Sequence, residues 1–152
     1  MVVGIYVIAL VLLFATDLDQ RLLPNEIVLP LVPYAILVYV VGAGPFVRTT
    51  DDLLWAIAAA ILIPVALFLL AIPFGKGAIG EGDLKLLVSV ALLVGAANVF
   101  YGLVAGALAA GIVVAALVVT RRLTMQSYVP YGPFLIAGAV WAILVIATVS
   151  QP

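Results

Sequence analysis

The sequence predicts an all-α, polytopic membrane protein with about six transmembrane helices, and three observations predict it. Of its 152 residues, 68% are hydrophobic and only 9% are charged, against roughly 45–50% apolar content in soluble domains. The mean hydropathy is +1.44. The apolar residues also run from end to end, broken only by short polar or Gly/Pro-bearing punctuation, with no polar stretch long enough to fold separately. One membrane domain covering residues 1–152 is therefore expected.

A hydrocarbon core of about 30 Å takes roughly 20 apolar residues per helix, with about 17–25 as the usual range. On that ruler the first span is 1–16, which is short. It has no basic n-region, and no small-residue cleavage site precedes the charged Thr16-Asp17-Leu18-Asp19 run, so it reads as a retained helix and not a signal peptide. The second span covers about 27–41, followed by a connection at 42–52 that contains Gly44-Pro45. The third, 53–74, carries Pro64 inside it, where a kink is expected. After 75–82 the fourth begins at Asp83 and reaches about Val94. A tight turn at 95–98 leads to the fifth, 99–119, in which Gly102, Gly106, Ala110 and Gly111 permit close helix packing. Residues 133–149 form the sixth.

The six basic residues orient these spans, because cytoplasmic loops are enriched in Lys and Arg regardless of acidic neighbours. Arg21, Lys76, Lys85, Arg121 and Arg122 fall at odd-numbered connections and Arg48 alone at an even one. Five against one places the odd connections in the cytoplasm and both termini outside. Asp17, Asp19, Glu26, Glu81 and Asp83 then share the cytoplasmic face, and only Asp51 and Asp52 lie opposite. Acidic groups at the ends of apolar helices are costly to push into hydrocarbon and are commonly functional there.

Composition removes several kinds of chemistry. With no Cys there is no disulfide framework or thiolate metal site, and with no His the usual imidazole ligand and neutral-pH acid–base group are missing. No metal and no organic cofactor are expected. A net charge of -1 with no basic stripe points to no nucleic-acid partner. Acid–base work therefore falls to carboxylates.

Two clusters supply them: Thr16-Asp17-Leu18-Asp19-Gln20-Arg21-Leu22-Leu23-Pro24-Asn25 and Gly80-Glu81-Gly82-Asp83-Leu84-Lys85-Leu86. Interfacial charges ending two helices would account for either alone. Gly80 and Gly82 remove side chains at the entry to the fourth span, so the backbone can turn tightly and another chain can approach. Asp83 sits at a helix start, where free N–H groups favour a carboxylate, and an ordinary N-cap role explains it equally well. An N-cap does not account for the flanking glycines together with a second acidic cluster on the same face. Two carboxylates sharing a proton activate water and protonate a leaving amine without metal, Cys or His.

At these residues the chain resembles a known family. Gly80-x-Gly82-Asp83-x-Lys85-Leu86 is similar to the GxGD motif of prepilin and preflagellin peptidases, and Asp17-x-Asp19-x-x-x-Leu23-Pro24-Asn25 to their first aspartate motif. Pro130-Tyr131-Gly132-Pro133-Phe134 resembles the Pro-aromatic-Gly-Pro element before the family's last helix. The three occur in the family's order and span most of the chain. The resemblance implies a GxGD aspartyl protease fold with Asp17 and Asp83 as catalytic aspartates. It also implies cleavage of short basic leaders from pilin-like precursors at the cytoplasmic face of the cell membrane. Asp19, Gly80, Gly82, Lys85, Pro130, Gly132 and Pro133 take accessory or substrate-binding positions. For Lys85, snorkelling from a helix end is the competing role; for Pro130 to Pro133 it is loop-to-helix punctuation. Larger bacterial members carry an N-terminal region with paired cysteines and an N-methyltransferase activity. With no Cys and the first aspartate at position 17, the resemblance is closest to small, peptidase-only members such as those of tight-adherence pilus systems.

Two readings compete with a protease: a small proton-coupled transporter or channel subunit, and a noncatalytic membrane protein of pilus assembly. Proton-relay acids are expected at mid-helix, whereas most of these acids fall at one interface.

Overall fold

The computed structural model describes residues 2–20, 23–74, 79–120 and 132–149, and among them it is all-helical. The helices are α1 (Val2–Gln20), α2 (Asn25–Val40), α3 (Thr50–Ala71), α4 (Glu81–Val94), α5 (Ala96–Val119) and α6 (Gly132–Val149), with a 3-10 turn, Ile72–Phe74, closing α3. Three are long and apolar enough to cross a membrane: Val2–Asp19, Thr50–Ala71 and Ala96–Val119. The span count by length and composition is thus about three, against the six expected from the apolar runs. Asn25–Val40 and Gly132–Val145 are apolar but shorter. With 14 residues, three of them charged and in its first five, α4 is only about 21 Å long at 1.5 Å per residue.

The layout follows from where each helix is wanted. In α1 the buried residues are Tyr6, Leu10, Leu13 and Asp17. Their spacing of four, three and four is the repeat of one helical face. Ile5, Ile8, Val11, Leu12 and Leu18 point outward, as a helix solvated by lipid tails allows. α4 is buried on nearly every side, from Leu86 to Val94, because α2, α3, α5 and α6 all pack on it. α3 and α5 bury only a narrow stripe each. One apolar core draws on α1 to α6 together.

Several boundaries differ from the sequence expectation. α1 runs to Gln20 and not to residue 16, because Asp17 continues its buried stripe and the Thr16 hydroxyl is satisfied within the helix, donating to the Leu12 and Leu13 carbonyls at 3.1 and 3.0 Å. α4 begins at Glu81, two residues before Asp83, with Gly80 as its N-cap; Asp83 is therefore the third helical residue and not the cap. Gly95 alone separates α4 from α5. Its φ of +83° suits glycine, and the Asn98 side chain turns back to donate to the Val94 carbonyl at 2.6 Å. α2 accommodates Pro30 and Pro33 in its interior, and α3 remains one helix through Pro64.

α5 and α6 pack backbone to backbone. A Cβ on Gly102 would stand 2.9 Å from the Gly138 carbonyl, while Gly106 abuts the Phe134 carbonyl and Gly138 abuts Gly102. Small residues at such crossings let helices approach where lipid gives no hydrophobic incentive to associate. Gly111, grouped with these from sequence, has open space around it.

Candidate active site

The last turns of α1 and the first turn of α4 lie at the same end of the bundle, bridged by the segment that starts α2, whose Leu23 lies against Gly82. Asp17 and Asp83 are both buried, at 6% and 8% exposure, and lie within electrostatic reach of each other. Burying one carboxylate in an apolar protein is expensive; the helical register here buries two within electrostatic reach of each other. Asp17 Oδ2 is fully enclosed and has no hydrogen-bond partner among the described residues. Buried polar atoms are nearly always paired, so an orphan of this kind calls for an explanation other than folding.

The glycines of the GxGD motif and of the Pro-Tyr-Gly-Pro element prove to be clearances. Gly80, extended at φ −70° and ψ 140°, gives its N–H to the Asp83 carboxylate, and a Cβ there would come within 3.2 Å of Asp83 Oδ2. Gly82 is covered by Leu23: an added Cβ would stand 2.7 Å from Leu23 Cβ. Gly132, the first residue of α6, faces Asp17 so closely that a Cβ would run into its carboxylate. Pro133 follows at the second helical position and is buried, a place where its missing N–H removes no helix bond. The close α5–α6 crossing carries this end of α6 to Asp17.

Lys85 does not join the carboxylate pair. Two residues after Asp83, it lies on another side of α4, and its Nζ donates to Asn25 Oδ1 at 3.1 Å with Glu81 at 3.8 Å. It thereby ties the start of α4 to the start of α2. Asp19, two residues after Asp17, is likewise turned away and exposed, as are Glu81 and Glu26. Pro130 and Tyr131 lie outside the described residues, as do Arg21, Lys76, Arg121 and Arg122. Among the described residues no group of three or more His, Cys, Asp or Glu side chains comes together.

Two contacts were not singled out from the sequence. Leu23 and Asn25 belong to the first motif, and their partners, Gly82 and Lys85, belong to the second, so the two motifs interlock away from the aspartates. The signal was present in the shared motifs, but which member met which was not.

Comparison with known proteins identifies the family. The sequence profile of the type IV leader peptidase family matches residues 4–116, a stretch that includes both aspartates and ends before Gly132. Relatives from Aeromonas hydrophila and Aeromonas salmonicida (strain A449), each named prepilin leader peptidase/N-methyltransferase, are 30% identical over 130 residues, 85% of this chain and 44% of theirs. The chain thus spans less than half the length of the curated relatives it matches. No solved structure matches.

Proposed function

Because this chain belongs to the type IV leader peptidase family, we propose that it is a membrane aspartyl endopeptidase that removes the leader from prepilin-like precursors. The observation that carries the reading is the buried pair Asp17 and Asp83, with Asp17 Oδ2 left without a partner among the described residues. One proton shared between the two suffices for the chemistry. The ionised carboxylate takes a proton from water as its oxygen bonds to the scissile carbonyl carbon, and the protonated one donates to the carbonyl oxygen. When the C–N bond breaks, a proton passes to the leaving amine. Gly80, Gly82, Gly132 and Pro133 give this pair its room, and Lys85 and Asn25 hold α4 against α2. Pro130 is assigned with them on the motif alone.

We place the site at the cytoplasmic face of a multi-pass protein, with the apolar helix of the substrate in the lipid and its leader in the cytoplasm. The excess of basic residues in the sequence stretches that follow α1, α3 and α5 supports this orientation. Co-expression with a candidate prepilin tests the activity: loss of the leader appears as a shift on a gel, and an unshifted precursor with a well-folded chain counts against a peptidase. Reporter fusions after Arg21, Lys76 and Arg122 are expected to read as cytoplasmic and one near Arg48 as external. Opposite readings for the Asp17 and Asp83 ends would exclude a shared site.

A further inference from the structure

Tyr6 and Ser89 are fully buried hydroxyl residues that the proposed chemistry does not use. Ser89 Oγ donates to the Leu86 carbonyl one turn back, at 2.8 Å. That occupies its single hydrogen, so in the 2.8 Å contact between the two side chains Tyr6 is the donor. The Tyr6 ring stacks on Tyr34 of α2 with centroids 6.4 Å apart and planes 24° apart, and the Tyr34 hydroxyl donates to the Val2 carbonyl at 2.9 Å. α1 is thus gripped by α2 at its first turn and by α4 through Tyr6.

The position of this bond is informative because α1 and α4, which bring the two aspartates, do not approach each other closely along their backbones and meet here through side chains; α2 and α6 each pack on both. Leu10 and Leu13, the remaining buried residues of α1, make contacts without direction. In lipid, where one apolar face exchanges for another at little cost, such contacts specify rotation and depth weakly. A hydrogen bond specifies both, having a length and an angle, and in an apolar interior a hydroxyl deprived of its partner is strongly disfavoured. Tyr6 and Asp17 stand on the same stripe of α1, so whatever fixes the rotation of one fixes that of the other.

We infer that the Tyr6–Ser89 hydrogen bond is the positioning contact between α1 and α4 that, with α1 held to α2 at its first turn, sets the rotation and depth of α1 and so holds Asp17 toward Asp83. Tyr6 and Ser89 are positioning residues that touch no reacting atom. The inference rests on the two-aspartate reading of the site.

The chain has no cysteine, so its Asp17→Cys/Asp83→Cys variant carries two unique thiols. The rate at which a short bis-alkylating reagent joins them in membranes reports their approach without any catalysis. Adding Tyr6→Phe and Ser89→Ala together is expected to slow this linking severalfold. In the chain with both aspartates, the same pair of changes is expected to lower kcat roughly tenfold to a hundredfold with little change in KM for a prepilin. Melting temperature should stay near the parent's, since removing both hydroxyls leaves neither unpaired, whereas Ser89→Ala alone strands the Tyr6 hydroxyl and should lower it. A double variant with parental linking and parental kcat overturns the inference, as does one in which both fall only in step with melting temperature. A parent pair that fails to link overturns it together with the shared site. A parent pair that links, in a chain whose Asp17→Asn and Asp83→Asn forms still cleave, overturns the catalytic role of the two aspartates and leaves the positioning of α1 standing.

Discussion

α3 and α4 begin alike and end up with different tasks. Each has an aspartate as its third residue, Asp52 in one and Asp83 in the other. At α3 the N-cap is Thr49, whose hydroxyl accepts the Asp52 N–H at 3.0 Å, while Asp52 Oδ2 accepts the Thr49 and Arg48 amides at 3.0 and 3.2 Å. Helix and carboxylate satisfy each other in the open. At α4 the N-cap is Gly80, which has no side chain to return, and Asp83 is buried within electrostatic reach of Asp17. The residue type and its place in the helix are the same. The cap beside it and the chain that covers it decide whether the carboxylate closes a helix in the open or is buried.

The most severe way to break this comparison is to neutralise the carboxylates. Asp83→Asn or Asp17→Asn is expected to cut leader cleavage by about 10²–10⁴-fold or more while the protein stays folded in the membrane. Asp52→Asn should leave turnover at the parental level in the same gel assay. Next in size is Gly132→Ala, whose Cβ enters the space of the Asp17 carboxylate. Overpacking of this kind costs about 1–3 kcal/mol, and cleavage should fall far more than the melting temperature does; unchanged cleavage would show that α6 does not confine Asp17.

A gentler change makes α4 imitate α3. Gly80→Ser supplies the missing cap, so the melting temperature should hold or rise, yet its Cβ crowds Asp83 Oδ2 and turnover should drop. The converse variant, Thr49→Ala, should lose about 1 kcal/mol of stability and no activity. If Gly80→Ser keeps full turnover, the glycine cap is not what reserves Asp83. The smallest effect is expected at Asp19→Asn: the residue is exposed and turned from the pair, so purified protein should keep most of its rate.

The helices were legible from the length of apolar runs, and the two aspartates from their motifs, because both kinds of signal are local. Where α1 ends was not. Thr16, Asp17, Asp19 and Gln20 have the composition of a loop, and only the position of Asp17 on the stripe of Tyr6, Leu10 and Leu13 shows that the helix continues. The start of α4 was misread for the related reason that Asp83 has the chemistry of a cap; Gly80 fills that place with backbone alone. Pairings between distant segments were beyond the reach of spacing. Tyr6 and Ser89 are isolated polar residues in apolar runs, and Gly138 has no neighbour in sequence that announces its crossing with Gly102 and Gly106.

The cover of Gly82 by Leu23 has a consequence for inheritance. Because a single added carbon at position 82 would occupy the place of the Leu23 side chain, the two codons do not drift independently. A lineage that gains bulk at 82 must shed it at 23, and each step taken alone passes through a poorer protein. Among descendants of this sequence, positions 23 and 82 are therefore expected to vary jointly or not at all.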